Sequence, residues 1–242
     1  MTKEFTVAVP QSIYTRYFFI AMAVLFIIFA VAGFVPDYQL MAAQHIAVYW
    51  FAHVHGVIMT AWLLVYLIQA VLIRRANIKL HMNLGLASVS LGILVWISMG
   101  IVIYHANIGY PVFKNVVWPN VLLLASFMNL FALFFTWGII VRKNAAAHKR
   151  LLYLATMIVI SAGYNRILLN NGVNPTLKWL TFSSLSGLPN PSAILVYHDL
   201  LLIPLFIYDL IAIGGMHKIT LIGTVFIISI QLIVLLVWRL LP

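Results

Sequence analysis

The chain contains no cysteine, and that absence removes disulfides, thiolate metal sites, iron–sulfur clusters and thioether-attached haem together. Any metal has to be held by His, Asp, Met or Tyr. Acid is scarce as well: Asp and Glu number 4 in 242 residues, and all charged residues amount to 7%. A soluble domain typically carries about 25% charged residues, so this chain has no means of building a solvated surface. What it has instead is 64% hydrophobic residues and a mean hydropathy of +1.09. The composition predicts an all-α, polytopic membrane helical bundle, a single integral-membrane domain over residues 1–242.

Apolar runs of roughly 20 residues, the length that crosses a hydrocarbon core of about 30 Å, fall at Tyr17–Val35, Ile46–Ile73, Leu84–Ile103, Val121–Val141, Leu151–Leu169, Ala193–Gly214 and Ile219–Leu240. They predict seven transmembrane helices. The first run lacks a small-residue cleavage site and reads as a retained helix. The longest connection, Asn170–Ser192, is rich in Pro, Ser, Asn and Gly and reads as an extramembrane loop or a re-entrant lid. The net charge of +10 does not indicate nucleic acid, because the cations sit at helix ends. With the N-terminus inside, Lys3, Arg16, Arg74, Arg75, Lys79, Arg142, Lys143, Lys149, Arg150 and Lys218 are cytoplasmic, and Lys114, Arg166, Lys178 and Arg239 are outside. The positive-inside rule therefore predicts an N-in/C-out, multi-pass membrane protein, and the expected location is a bacterial inner membrane.

Once direction is assigned, the histidines sort by leaflet. His45, His53, His55, His105 and His198 fall toward the outer side, and His81, His148 and His217 toward the cytoplasmic side. His55 heads a helix-spaced stripe of Met59, Trp62, Tyr66 and Gln69, which makes it the leading ligand candidate on its helix. His53 lies about 200° round the helix from His55, so a regular helix cannot aim both at one metal. His45, His105 and His217 read as interfacial anchors. Ionisable groups inside a bilayer are costly and mark function, which singles out the His198-Asp199 pair, Arg166 and Asp209. Arg166 is expected at the headgroups, or paired with Asp199 or an anionic cofactor group. Asp209 has no evident buried cation, so its carboxyl is expected to be protonated, hydrated or part of a proton path.

Neutral imidazoles on facing helices are the usual protein contribution to a b-type haem. Paired by leaflet, His55 and His198 would hold an outer haem and His81 and His148 an inner one, with Arg166 at a propionate and Trp62 and Tyr66 lining the slot. This constellation resembles transmembrane b-type cytochromes of the ascorbate-dependent and ferric-reductase kind, and that resemblance implies electron transfer across or within the membrane, a membrane oxidoreductase. His53-Val54-His55-Gly56 with Met59 and Trp62 is similar to the first ligand helix of haem–copper oxidases. The segment Arg142-Lys143-Asn144-Ala145-Ala146-Ala147-His148-Lys149-Arg150-Leu151 resembles a recurrent element of uncharacterised bacterial multipass proteins that share the His-x-His-Gly stretch.

Two other readings remain open. A metal-binding site of His53 or His55 with His198 and Asp199 would hold zinc, or copper, in place of haem, and zinc with an open position supports hydrolysis. The count and orientation are similar to ceramidase and adiponectin-receptor hydrolases, although the last helix here has no histidine. The third reading is a non-enzymatic accessory subunit of a larger membrane complex, or a carrier for a small ligand. The expected partners are the lipid bilayer and a quinone or redox protein, with no nucleic acid.

Overall fold

The computed structural model describes residues 13–105, 118–170 and 198–240. The expected 170–192 connection lies outside the described residues apart from its first residue. Seven helices are described: α1 (Ile13–Ala43), α2 (Trp50–Arg74), α3 (Ile78–Tyr104), α4 (Trp118–Ile140), α5 (Ala145–Asn170), α6 (Leu202–Ile213) and α7 (Lys218–Leu240). No strand occurs among the described residues. Five helices, α1 to α4 and α7, are long and apolar enough to cross a membrane. The 12 residues of α6 rise about 18 Å, and residues 198–200 add one helical turn before it.

Two helices begin about six residues earlier than their apolar runs suggest, for a local reason. Asn77 Oδ1 accepts from the Leu80 N–H at 3.2 Å, and Asn144 Oδ1 accepts from the Ala147 N–H at 3.1 Å. Each asparagine satisfies one of the amides that a helix start leaves without a partner. His81, His148, Lys149 and Arg150 therefore lie in the opening turns of α3 and α5 and not in loops. At the far end of α6, Gly214 takes φ +69°, the left-handed conformation in which glycine closes a helix without steric cost.

α5 is the axis of the bundle. Leu151 and every residue from Tyr153 to Ser161 are buried, as expected of a helix that is apolar on all sides. It packs against α1, α4 and α7, while α2 packs on α1 and α3, and α6 on α1 and α7. The outward faces stay apolar: Val57 is 70% exposed, Leu86 78% and Val225 64%. Continuous apolar surface of this kind suits lipid as its solvent.

Between lipid-exposed helices, association depends on close packing more than on the hydrophobic effect. The α1–α5 seam shows this at Gly33 and Gly163. A Cβ on Gly163 would lie 2.9 Å from the Phe29 carbonyl oxygen, and one on Gly33 would overlap the Gly163 carbonyl. Both obstacles are backbone, which cannot step aside like a side chain. Replacing Gly163 with Val is expected to destabilise the bundle by more than the ~1–3 kcal/mol typical of overpacking. Gly215→Ala, where a Cβ meets nothing within 4 Å, should be silent in the same thermal melts of detergent-solubilised protein.

Candidate functional site

Contacts between helix ends define two poles. Arg74 at the end of α2 lies against Tyr17 at the start of α1, and Lys149 at the start of α5 meets Tyr208 near the end of α6. The pole that gathers these cations is the basic end.

At the basic end, α3 and α5 bring His81 and His148 together, with ring centroids 6.5 Å apart and planes at 82°. His148 Nδ1 donates to the Gly138 carbonyl on α4 at 2.8 Å, which leaves Nε2 as a lone-pair site. On the other ring the partner is Gln69 of α2. The amide orientation that satisfies its surroundings accepts from the Gly85 N–H at 2.8 Å, donates to the His81 carbonyl at 3.2 Å and also donates to His81 Nδ1. Neither Nε2 has a hydrogen-bond partner among the described residues.

Two residues further along α5 is the group that the sequence reading missed as a partner. Arg150 and Asp209 are 2% and 0% exposed, and the Arg150 Nη2 to Asp209 Oδ1 distance is 2.5 Å. Arg150 Nε donates to the same oxygen at 2.8 Å, and Nη1 donates to the Ala146 carbonyl at 2.7 Å. Asp209 Oδ2 accepts from the His217 N–H at 3.0 Å and from the Thr220 hydroxyl at 2.6 Å. The expectation that Asp209 lacks a buried cation is therefore corrected: Arg150 supplies it from inside α5. The available signal was Asn144, whose capping moves the helix start upstream and brings Arg150 within the helix. Beside this pair, Lys149 Nζ donates to the Tyr208 hydroxyl at 2.6 Å, and the Tyr153 hydroxyl donates to the Leu201 carbonyl at 2.7 Å.

The opposite pole holds His53, His55, His198, Asp199 and Arg166. His55 Nδ1 lies 3.0 Å from the Ser98 hydroxyl on α3, while exposed His53 faces Tyr38 on α1 with centroids 5.9 Å apart. The two rings of the His-x-His stretch thus point to different helices. His198 is fully buried and stacks on Phe127 of α4 at 5.2 Å. Gln231 of α7 donates to Asp199 Oδ1 at 2.9 Å and lies 3.5 Å from His198 Nδ1. His198 Nε2 is buried with no partner among the described residues.

Trp62 packs edge-on against both Phe131 and Phe135 of α4, with centroids at 5.2 and 5.4 Å. Its indole N–H and the Tyr66 hydroxyl are buried without a partner among the described residues. Arg166 pairs with Asp37 of α1 and lies over the Phe34 ring at 4.7 Å, so its ion-pair partner is Asp37 and not Asp199. Among the described residues, no three His, Cys, Asp or Glu side chains gather where one metal ion could take them all.

Two outcomes are expected at the basic end. Asp209→Ala strands a buried guanidinium and should cost about 3–5 kcal/mol in thermal or denaturant unfolding, whereas Arg150→Met combined with Asp209→Leu should recover most of that loss. The second outcome concerns His217, whose Nδ1 accepts from the Ile219 N–H at 3.1 Å and so needs its lone pair. Burial, and then the Arg150 charge, hold His217 below the usual histidine range, with Asp209 opposing and Lys149 adding to the depression. The unfolded chain, titrating near about 6.5, then binds the proton first as pH falls. This contribution to stability is therefore intact above about pH 6.5 and declines below it. His217→Asn keeps an acceptor and does not titrate. The protection factor of the Ile219 amide, its exchange rate set against the intrinsic rate at the same pH, should fall on acidification in the native chain more than in that variant. The chain matches no protein-family model, no curated protein and no solved structure, so its role has to be argued from these side chains.

Proposed function

We propose that this chain is a redox protein embedded in a bacterial inner membrane, with all seven helices crossing, the N-terminus in the cytoplasm, and a b-type haem held between His81 and His148 for electron transfer. The observation that carries the reading is the facing of these two imidazoles from helices far apart in sequence. Their ring centroids are 6.5 Å apart with the planes at 82°, and these are the two residues that would hold the haem. The Nδ1–H of His148 is anchored on the Gly138 carbonyl, the outer-shell bond that orients metal-ligating histidines. That ring fits as it stands.

His81 fits after one adjustment. Because the Gln69 amide donates to its Nδ1, the neutral ring carries its proton on Nε2, and ligation through Nε2 requires the proton to move and the amide to turn. Bound haem would supply a one-electron couple whose potential is tuned by its axial ligands and surroundings. The chain's own residues do the rest: Asn77 and Asn144 set the two helix starts, Gly138 and Gln69 orient the rings, and the Arg150–Asp209 pair holds α5 in register. His55, His198, Trp62 and Tyr66 line or flank the path toward the opposite pole, where a quinone or a redox partner protein would exchange electrons.

The test is an absorption spectrum of protein purified from haem-sufficient cells, before and after dithionite. A sharp reduced α-band is expected in the native chain, lost in His81→Ala and in His148→Ala and retained in His53→Ala. A colourless protein with stoichiometric zinc by elemental analysis would replace the redox reading with the hydrolase. A colourless, metal-free protein would overturn both.

A further inference from the structure

At the basic end, Arg16 of α1 and Arg74 of α2 converge on one aromatic ring. Their guanidinium carbons lie 5.8 and 5.1 Å from the Tyr17 centroid. Arg74 is half-buried, and its Nε is enclosed with no hydrogen-bond partner among the described residues. The carboxylates of the described residues are engaged elsewhere, Asp37 with Arg166, Asp209 with Arg150 and Asp199 with Gln231. Glu4 lies outside the described residues. Two permanently charged forks against one ring, with no carboxylate of the described residues between them, suit an anion that can accept several N–H bonds at once. A phosphate group meets that requirement.

The surroundings indicate where the phosphate comes from. Tyr17 sits in the second turn of α1, at the polar border of an apolar span, where tyrosine and arginine ordinarily meet headgroups. On the same face of α1, at seven, eleven and fourteen residues from Tyr17, Val24, Ile28 and Val31 are 42%, 53% and 54% exposed. This apolar stripe leads away from the two arginines along the helix, as an acyl chain would follow below its headgroup.

We propose that Arg16, Arg74 and Tyr17 form a binding site for the phosphate of an anionic phospholipid, whose acyl chain lies along the Val24, Ile28 and Val31 stripe. The site is independent of the haem reading and requires only that the bundle sit in a bilayer. It would retain one lipid at the α1–α2 seam and neutralise the charge that accumulates there.

The experiment is native mass spectrometry of the full chain in mild detergent, offered phosphatidylglycerol or phosphatidylcholine. Each arginine near an anionic headgroup contributes a several-fold gain in affinity, so the native chain should hold phosphatidylglycerol about tenfold or more over phosphatidylcholine. Arg16→Gln combined with Arg74→Gln should erase that preference. Arg142→Gln, at the same pole and exposed, should preserve it. A double variant with undiminished preference would overturn the site, and displacement of phosphatidylglycerol by inorganic phosphate would reassign it to a free anion and overturn the lipid. Should the double variant fold poorly, each single variant should show a smaller rise in melting temperature with added phosphatidylglycerol than the native chain does. Equal rises would overturn the site.

Discussion

A guanidinium buried among apolar helices needs a carboxylate within reach, and in this bundle the Arg150–Asp209 pair meets that need. Both groups are almost wholly removed from solvent, so the cost of separating them far exceeds that of breaking a surface ion pair. The pair is also well satisfied locally. Asp209 collects an amide and a hydroxyl from the start of α7 in addition to Arg150, and Arg150 returns one donor to its own helix. Three helices, α5, α6 and α7, therefore share one electrostatic joint, and the tight α6–α7 turn is tied to it through His217.

The position of the histidine pair depends on that joint. His148 stands two residues before Arg150 on the same helix, so any slide or rotation of α5 that would carry His148 away from His81 would also pull Arg150 from Asp209. The glycine contact between α1 and α5 adds a steric limit at the other pole, where Gly33 and Gly163 allow the backbones to touch. Between the two, α5 is buried on every side from Tyr153 to Ser161. The central helix is held electrostatically at one end and by close packing at the other, and the imidazoles face each other across its fixed end.

Polar groups along α2 divide between the poles. His55 turns to Ser98, Trp62 and Tyr66 enter the aromatic core, and Gln69 reaches the His81 ring. What reads in one dimension as a single stripe meets α3 at both ends, through Ser98 and His81, and α4 in between, where Trp62 packs on Phe131 and Phe135.

Seven helices could be counted from the chain alone, because an apolar run of about 20 residues has few structural alternatives to a helix. Direction along each helix also sorts His81 and His148 to one pole and His55 and His198 to the other. Beyond that, sequence-based reasoning ran out at each point where two helices meet. Arg150 reads as one helix-end cation among ten until the Asn144 cap places it inside α5. The partners of Arg166, Asp209, His55 and Asp199 turned out to be Asp37, Arg150, Ser98 and Gln231, none of them a neighbour along the chain. Periodicity records which way a side chain points from its own helix axis. It carries nothing about rotation and register between axes, which follow from close packing at the glycine seams and from the need to pair every buried charge.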